Sequence, residues 1–245
     1  MEKRQPILEP DVREHLYQSL TPALAGVKTS EALRIISEAV RPLIPSGADP
    51  LIDAGLIFQD FAAPEVGLSP NQARQAWAST SGRLFQIHVQ DTINNVLNAE
   101  GIEAVEATEI TDTTREFLTL PARRRCTQAR IGVWPDNDLI VLAPHLSGPR
   151  AFCIISCKTS LPERAIESCF WAIATRDTGI KAAFATADLD GELGTCASPT
   201  KPRQLLESYF DRTYSTSPAT SLCAQVTSLD RVAEDLRRWS LDLLG

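Results

Sequence analysis

Two short apolar runs separated by a turn constrain this chain more than any other feature. The first is Leu139-Ile140-Val141-Leu142 and the second is Ala151-Phe152-Cys153-Ile154-Ile155, with His145-Leu146-Ser147-Gly148-Pro149-Arg150 between them. Runs of this length bounded by Gly and Pro read as buried strands rather than helix, and two in succession read as a hairpin. Asp136 and Asp138 precede the first strand, and Ser156-Cys157-Lys158 closes the second. An extended chain sends alternate side chains to the same face, so both carboxylates can face one site and Ser156 points the same way as Lys158. A tight hairpin then brings the Lys158 ammonium toward those carboxylates at one end of the sheet. Carboxylates beside a lysine at a strand end suit Mg²⁺, which takes oxygen ligands from one or two carboxylates, from water and from substrate phosphate.

A helix is expected directly afterwards, because Ser160-Leu161-Pro162-Glu163 has the form of a capping box with Pro in the first turn. Beyond that helix, residues 161 to 176, the run Ile180 to Ala187 reads as a strand parallel to the last one, since a helix crosses over between them. Asp188-Leu189-Asp190-Gly191 ends it in a turn. Leu222 to Val226 is expected as an edge strand, and Ser228 as the cap of a final helix with Leu229, Val232, Leu236 and Leu243 inward. Gly101 to Ile110 and Ala129 to Trp134 read as further short strands.

The chain starts with helices. Val12, Leu16, Leu20 and Leu24 recur by fours, with Pro22 expected to end or bend that helix. Ser30 is expected to cap a second helix with Leu33, Ile36, Val40 and Leu43 in one stripe, stopped by Pro42 and Pro45. Residues 45 to 71, rich in Pro, Gly and Asp, read as a linker. A longer helix follows from about Pro70 to Ala99, with a possible break at Gly82 and a stripe of Phe85, Val89, Ile93 and Val96. The fold class is therefore α/β, a mixed central sheet flanked by helices, with an N-terminal helical subdomain over 1–70 and the sheet domain over 71–245.

At 245 residues and 43% apolar composition, the chain can bury a good core. No run approaches the ~20 apolar residues of a membrane span, and the start lacks the apolar segment of a signal peptide, so a cytoplasmic location is expected. Six cysteines, 126, 153, 157, 169, 196 and 223, form no CxxC pair and read as reduced core thiols. The net charge of −7 argues against coating nucleic acid by bulk electrostatics but leaves room for a local basic cleft. Arg123-Arg124-Arg125, with Arg130 following, is such a local feature, and its bland reading is a solvated loop.

Pro135-Asp136 followed by Ser156-Cys157-Lys158 resembles the PD-(D/E)XK nuclease superfamily. The wider string Ile155-Ser156-Cys157-Lys158-Thr159-Ser160-Leu161-Pro162-Glu163-Arg164 is more specific, as are Phe170-Trp171 and Thr186-Ala187-Asp188-Leu189-Asp190-Gly191. Together they resemble type II restriction endonucleases of the CCGG/EcoRII-like branch, BsaWI-like. Ser81-Gly82-Arg83-Leu84-Phe85-Gln86 resembles the helix that such enzymes place before the catalytic sheet. The resemblance covers roughly residues 77 to 195.

That resemblance implies a restriction-endonuclease-like fold and Mg²⁺-dependent, sequence-specific cleavage of double-stranded DNA giving 5′-phosphate ends. It implies a homodimer or higher homo-oligomer, and a cognate DNA methyltransferase acting on the same site. Asp136 or Asp138 becomes the metal carboxylate, both being candidates, and Lys158 the group that orients and activates the attacking water. Glu163 and Arg164 match two members of a base-reading Arg-Glu-Arg unit, a chemistry in which a carboxylate accepts from cytosine and Arg donates to guanine. Arg123, Arg124 and Arg125 are further candidates for contacting DNA. Two departures stand out. Pro162 occupies the position of the first arginine, and Ser156 that of the in-line acid. Gln86 lies where some members carry a helix Glu, so Glu167 is the candidate second acid, with Glu109 behind it; either can equally be a surface charge. Competing readings are a structure-specific or repair nuclease of the same superfamily, a catalytically weakened DNA-binding protein on the same fold, and, last, an enzyme using Cys157.

Overall fold

The computed structural model describes residues 6–45, 48–110, 120–121, 132–133, 137–146, 148–189, 191–217 and 220–242, with the backbone alone at Leu120, Pro121, Gly132, Val133, Pro162, Glu163 and Arg164. The expected hairpin is its centre. Strand β4, Leu139–Ala143, pairs antiparallel with β5, Arg150–Lys158, and Leu139 faces Ile155 across a ladder whose register shifts between Val141 and Leu142. Around this pair the sheet grows both ways. β1, Glu103–Glu106, adds antiparallel to β4, while β6, Lys181–Thr186, adds parallel to β5 as the crossover helix requires. β7, Arg212–Ser215, and β8, Val226–Ser228, continue in parallel, giving a mixed six-stranded sheet in the order β1-β4-β5-β6-β7-β8. Two-residue strands β2, Leu120–Pro121, and β3, Gly132–Val133, form a separate antiparallel pair, with β3 inside the expected 129–134 strand.

From Cys153 onward, alternation along β5 divides its side chains between two helical layers, and the register shift at Phe152 turns Ala151 to the second of them. Cys153, Ile155 and Cys157 join a core with Phe85, Val89 and Ile93 of helix α5, Pro70–Leu97, and with Leu236 and Trp239 of the final helix α8, Val232–Asp242. Ala151 and Ile154 face the other way, against Ala165, Cys169 and Ala172 of α6, Pro162–Thr175, and Leu206 of α7, Lys201–Tyr209. A strand buried on both faces has to be apolar at nearly every position, which is why β5 carries so continuous a run. Each fully buried aliphatic or aromatic side chain on these faces contributes ~1.5–3 kcal/mol.

The N-terminal helices depart from expectation in several places. Helix α1, Pro10–Leu24, runs through Pro22, and its Val12 is exposed while Arg13 and Tyr17 are buried. Arg13 is buried because Asp53 is: the Asp53 carboxylate accepts from the backbone N–H groups of Ile7 and Leu8 at 2.9 and 3.1 Å and from Arg13 Nη1 at 3.4 Å. Helix α2, Thr29–Val40, begins after Lys28, so Ser30 sits inside the first turn rather than at the cap. Its Leu33, Ile36 and Val40 are buried as expected, whereas Leu43 lies exposed in the following 3-10 turn.

Residues 45 to 71 are not the linker that their composition suggests. They hold α3, Leu51–Ile57, a π-turn over Phe58–Ala62 and the short α4, Ala63–Glu65, with Leu51, Ala54, Ile57, Phe58 and Ala63 buried in the α5 core. Their polar and small residues shape local structure: Asp49 Oδ1 accepts the Leu51 N–H at 2.8 Å, and a Cβ on Gly55 would lie 3.0 Å from the Trp77 ring. Helix α5 passes unbroken through Gly82 from a capping box of Ser69 and Gln72, and Leu97 takes the buried place expected of Val96, which is exposed.

The C-terminal half adds α7 and β7, which the sequence reading did not foresee. The edge strand falls at Val226–Ser228 rather than at Leu222 to Val226. Ser228 precedes a 3-10 turn without a side-chain cap, Leu229, Val232 and Leu236 are buried as expected, and Leu243 lies outside the described residues. Leu161 holds the N-cap position of α6, so Ser160 stands one residue too early for the capping box. Cys153, Cys157 and Cys169 are buried free thiols as expected, but Cys196 is exposed and Cys223 half-buried; Cys126 lies outside the described residues. Among the described residues no helix is long and apolar enough to cross a membrane.

Candidate active site

Asp138 immediately precedes β4, and Lys158 ends β5, its neighbour. The hairpin brings them together: Lys158 Nζ donates to Asp138 Oδ2 at 2.8 Å. The same oxygen accepts the backbone N–H of Cys157 at 2.7 Å, which ties the carboxylate to β5 itself. Both side chains are mostly covered, Lys158 at 16% and Asp138 at 25% exposure. Among the described residues Asp138 Oδ1 makes no hydrogen bond.

The backbone of Asp138 is held as firmly as its side chain. Gln86 Nε2, from α5, donates to the Asp138 carbonyl at 3.2 Å, and the Ala107 N–H donates to the same oxygen at 3.3 Å. Gln86 supplies no charge at the position where the resemblance expects a helix acid; its amide instead anchors the acidic residue to the helix layer. Arg83, one helical turn earlier, pairs with Glu106 of β1 and fixes the same helix to the sheet edge. On the far side, the Ala187 N–H donates to the Lys158 carbonyl at 3.2 Å and the Leu189 N–H to the Thr159 carbonyl at 3.0 Å, extending the β5–β6 ladder past the lysine. Asp188, between those donors, takes a left-handed φ of 46°, and its Oδ1 accepts the Glu192 and Leu193 N–H groups at 2.7 and 3.3 Å. That carboxylate closes the turn beside the site.

The other sequence candidates divide. Ser156 is buried on β5. Glu167 is exposed on α6, on the side away from Ala165, Cys169 and Ala172, which face the sheet, so the structure does not join it to Lys158. Glu109 is also exposed. Glu163 and Arg164 fall in the first turn of α6, where only their backbone is described. Asp136, Arg123, Arg124 and Arg125 lie outside the described residues. Among the described residues no group of three or more His, Cys, Asp or Glu side chains is arranged to hold a metal ion. Burial pushes the Cys157 thiol well above its ordinary range, with the Asp138 charge adding to the effect, which disfavours the thiolate that a nucleophile needs.

A mixed sheet with a carboxylate–lysine pair at the end of its central hairpin defines a restriction-endonuclease-like α/β protein. The solved AgeI–DNA complex shares this fold, with a TM-score of 0.64 and 19% identity over 91% of this chain and 84% of that one. A pre-specific BsaWI–DNA complex aligns at a TM-score of 0.49 and 13% identity over 96% of this chain and 92% of that one. Residues 123–236 match the family described as BsaWI restriction endonuclease type 2. MjaVIP of Methanocaldococcus jannaschii, a candidate type II restriction enzyme, is 27% identical over 158 residues, spanning 59% of this chain and 68% of the relative. Family match and relative bear out the resemblance read from the motif and support a type II restriction endonuclease of this branch, a site-specific deoxyribonuclease, and the AgeI neighbour bears out the fold.

Proposed function

We propose that this chain cleaves double-stranded DNA at a short specific sequence, with Mg²⁺, as a homodimer in which each subunit serves one strand. The observation that carries the reading is the Lys158–Asp138 pair, fixed through Cys157 N–H at the mouth of the central hairpin. The solved AgeI neighbour is a complex with DNA, which supports the same substrate.

The donor set suits the metal. Mg²⁺ asks for oxygen ligands, one or two of them carboxylates, and Asp138 Oδ1 with Asp136 two residues before it would provide those. When bound, Mg²⁺ supplies neutralisation of the charge that develops on the scissile phosphate. The protein groups do the rest. Lys158 carries three N–H donors, and with one on Asp138 the others can hold the attacking water and a phosphate oxygen in line. Asp138, pinned at backbone and side chain, keeps that ammonium aimed. Water attacks phosphorus, the 3′ oxygen leaves, and the 5′ side keeps the phosphate. Glu163 and Arg164, at the start of α6 next to the lysine, are assigned to base edges, and Arg123, Arg124 and Arg125 to the DNA backbone. Glu167, on the outward face of α6, ranks behind Asp136 as the second acid. A DNA methyltransferase of the same specificity is the expected partner in the cell.

The test is incubation of the purified chain with plasmid or phage DNA in Mg²⁺ or EDTA, followed by sequencing of every new end. Cuts that share one short palindrome, carry 5′ phosphates and vanish in EDTA are expected. Metal-dependent cuts without a common sequence would favour the structure-specific nuclease instead.

A further inference from the structure

The segment that follows β6 meets the segment that leads into β8, and two of the six cysteines are brought there. Arg203 of α7 is fully buried, and its Nη2 donates to Cys196 Sγ and to Cys223 Sγ, each at 3.1 Å, as well as to the Ser221 carbonyl at 2.9 Å. The thiols are thus gathered on one guanidinium nitrogen from positions far apart in sequence. Around them, the Ser221 hydroxyl donates to Cys196 Sγ at 3.3 Å, and the Cys196 thiol is within 3.1 Å of the Leu222 carbonyl and 3.4 Å of the Ser221 carbonyl. The Cys223 thiol donates to Glu207 Oε1 at 3.3 Å, and the same Glu207 oxygen is held by Arg203 Nε at 2.7 Å. Cys196 is exposed and Cys223 half-buried, unlike Cys153, Cys157 and Cys169 in the core.

A buried cation shared by two thiols, one open to solvent, is the environment of a reactive pair rather than of core packing. We propose that Cys196 is a peroxide-reactive thiol and Cys223 its resolving partner, the two forming a reversible disulfide that ties the turn after β6 to the approach to β8. The Ser221 hydroxyl holds the Cys196 thiol below its usual range, with Cys223 and the Arg203 charge acting in the same direction, whereas burial pushes Cys153 and Cys157 up. In the first step, Cys196 sulfur attacks one oxygen of hydrogen peroxide and the O–O bond breaks. Cys196 becomes a sulfenic acid, and the other oxygen leaves as water with the thiol proton. In the second step, Cys223 sulfur attacks the Cys196 sulfur and its proton passes to Glu207 or solvent. The S–O bond breaks and the departing hydroxide takes up a proton as water. Two thiols and one peroxide thus give one disulfide and two waters, and a dithiol reductant reverses the bond. This assignment does not depend on the nuclease reading.

The experiment treats the full-length folded chain with hydrogen peroxide at neutral pH and maps its peptides without reduction. A peptide pair linking Cys196 to Cys223, lighter by two hydrogens and lost on addition of dithiothreitol, is expected. Cys153, Cys157 and Cys169 should stay reduced. In Cys223→Ser, a sulfenic-acid probe such as dimedone should label Cys196; in Cys196→Ser, neither the disulfide nor labelling at Cys223 should form at that rate. With iodoacetamide at neutral pH, Cys196 should react at least ~10-fold faster than the three core thiols. Labelling spread over all cysteines, a link between other pairs, or a Cys196 no faster than the core thiols would overturn the assignment.

Discussion

Lys158 and Asp138 stand 20 positions apart in sequence and are joined by a 2.8 Å hydrogen bond at the mouth of the hairpin. The carboxylate oxygen that receives the ammonium also receives the Cys157 N–H, so the pair is held in register by the strand it acts from. Asp138 is thereby held at its side chain by β5 and at its carbonyl by α5.

Asp138→Asn and Asp136→Asn are consequently not equivalent. The Asp138 amide keeps an oxygen for Cys157 N–H but loses the charge that positions Lys158, so cleavage should fall by roughly a hundredfold or more. Loss of the charge-assisted bond should lower stability by ~1–2 kcal/mol. Asp136→Asn should keep the higher residual rate. Single-turnover cleavage and urea unfolding of both variants check this ranking, and equal residual rates would remove it.

Gln86 is expected to act as a positioning residue. Gln86→Ala deletes the side-chain donor to the Asp138 carbonyl and should cost about 1 kcal/mol of stability. The turnover step should slow by roughly tenfold with KM little changed, because the aim of the acid is disturbed and not the DNA contact. Gln86→Glu, which offers no N–H, should do no better. A cleavage rate equal to that of the parent in both variants would show that the bond positions nothing.

Base reading is predicted to lie in the first turn of α6. An arginine bidentate to guanine supplies ~1–3 kcal/mol of discrimination, so Pro162, in place of an expected arginine, should leave one position of the site relaxed. Arg164→Ala should collapse sequence preference and spare the salt-sensitive nonspecific binding that phosphate contacts dominate. Selection of cleaved sites from a random DNA library compares the two proteins. An unchanged preference would move recognition to Arg123, Arg124 and Arg125 or to the N-terminal helices.

His88 gives the fold an acid sensitivity. Burial lowers its pKa from the ordinary 6.5 to about 4, the Arg41 charge acting in the same direction and Asp91 opposing it. In the folded chain the ring is neutral, whereas the unfolded chain binds a proton below its ordinary value. Stability from this group is therefore complete above about pH 6.5 and is lost as pH falls toward about 4. Between about pH 7.5 and 5.5 the loss should be ~1 kcal/mol, and His88→Leu should flatten the slope by that amount. Urea unfolding at the two pH values measures it; equal slopes would contradict it.

How much of this was legible beforehand depended on whether the signal was local. The hairpin could be read because a strand buried on both faces must be apolar almost throughout, and β5 is. The parallel β6 followed from a crossover of helical length. Residues 45 to 71 misled because Pro, Gly and Asp mark helix starts and close approaches, as at Asp49 and Gly55, as readily as linkers. Ser30 and Ser160 looked like caps because the pattern does not fix the first helical residue to within one position. Strand β7 was missed because its Arg212-Thr213-Tyr214-Ser215 is polar in sequence. It is buried in the fold because Asp235 accepts from Tyr214 Oη at 3.0 Å and from Arg212 Nη2 at 3.2 Å. At the site, Asp138 and Lys158 were readable from strand parity alone. The role of Gln86 was not, since its partner is a backbone carbonyl 52 positions away.

Lys158 is assigned to water and phosphate and not to bases, so the most direct test separates cutting from binding in one variant. Lys158→Ala is assayed for cleavage of its mapped site in Mg²⁺ and for specific binding to the same site in Ca²⁺. Cleavage should fall by roughly three orders of magnitude, with the binding constant changed by less than about tenfold. Cleavage that survives, or binding lost as completely as cutting, would contradict it.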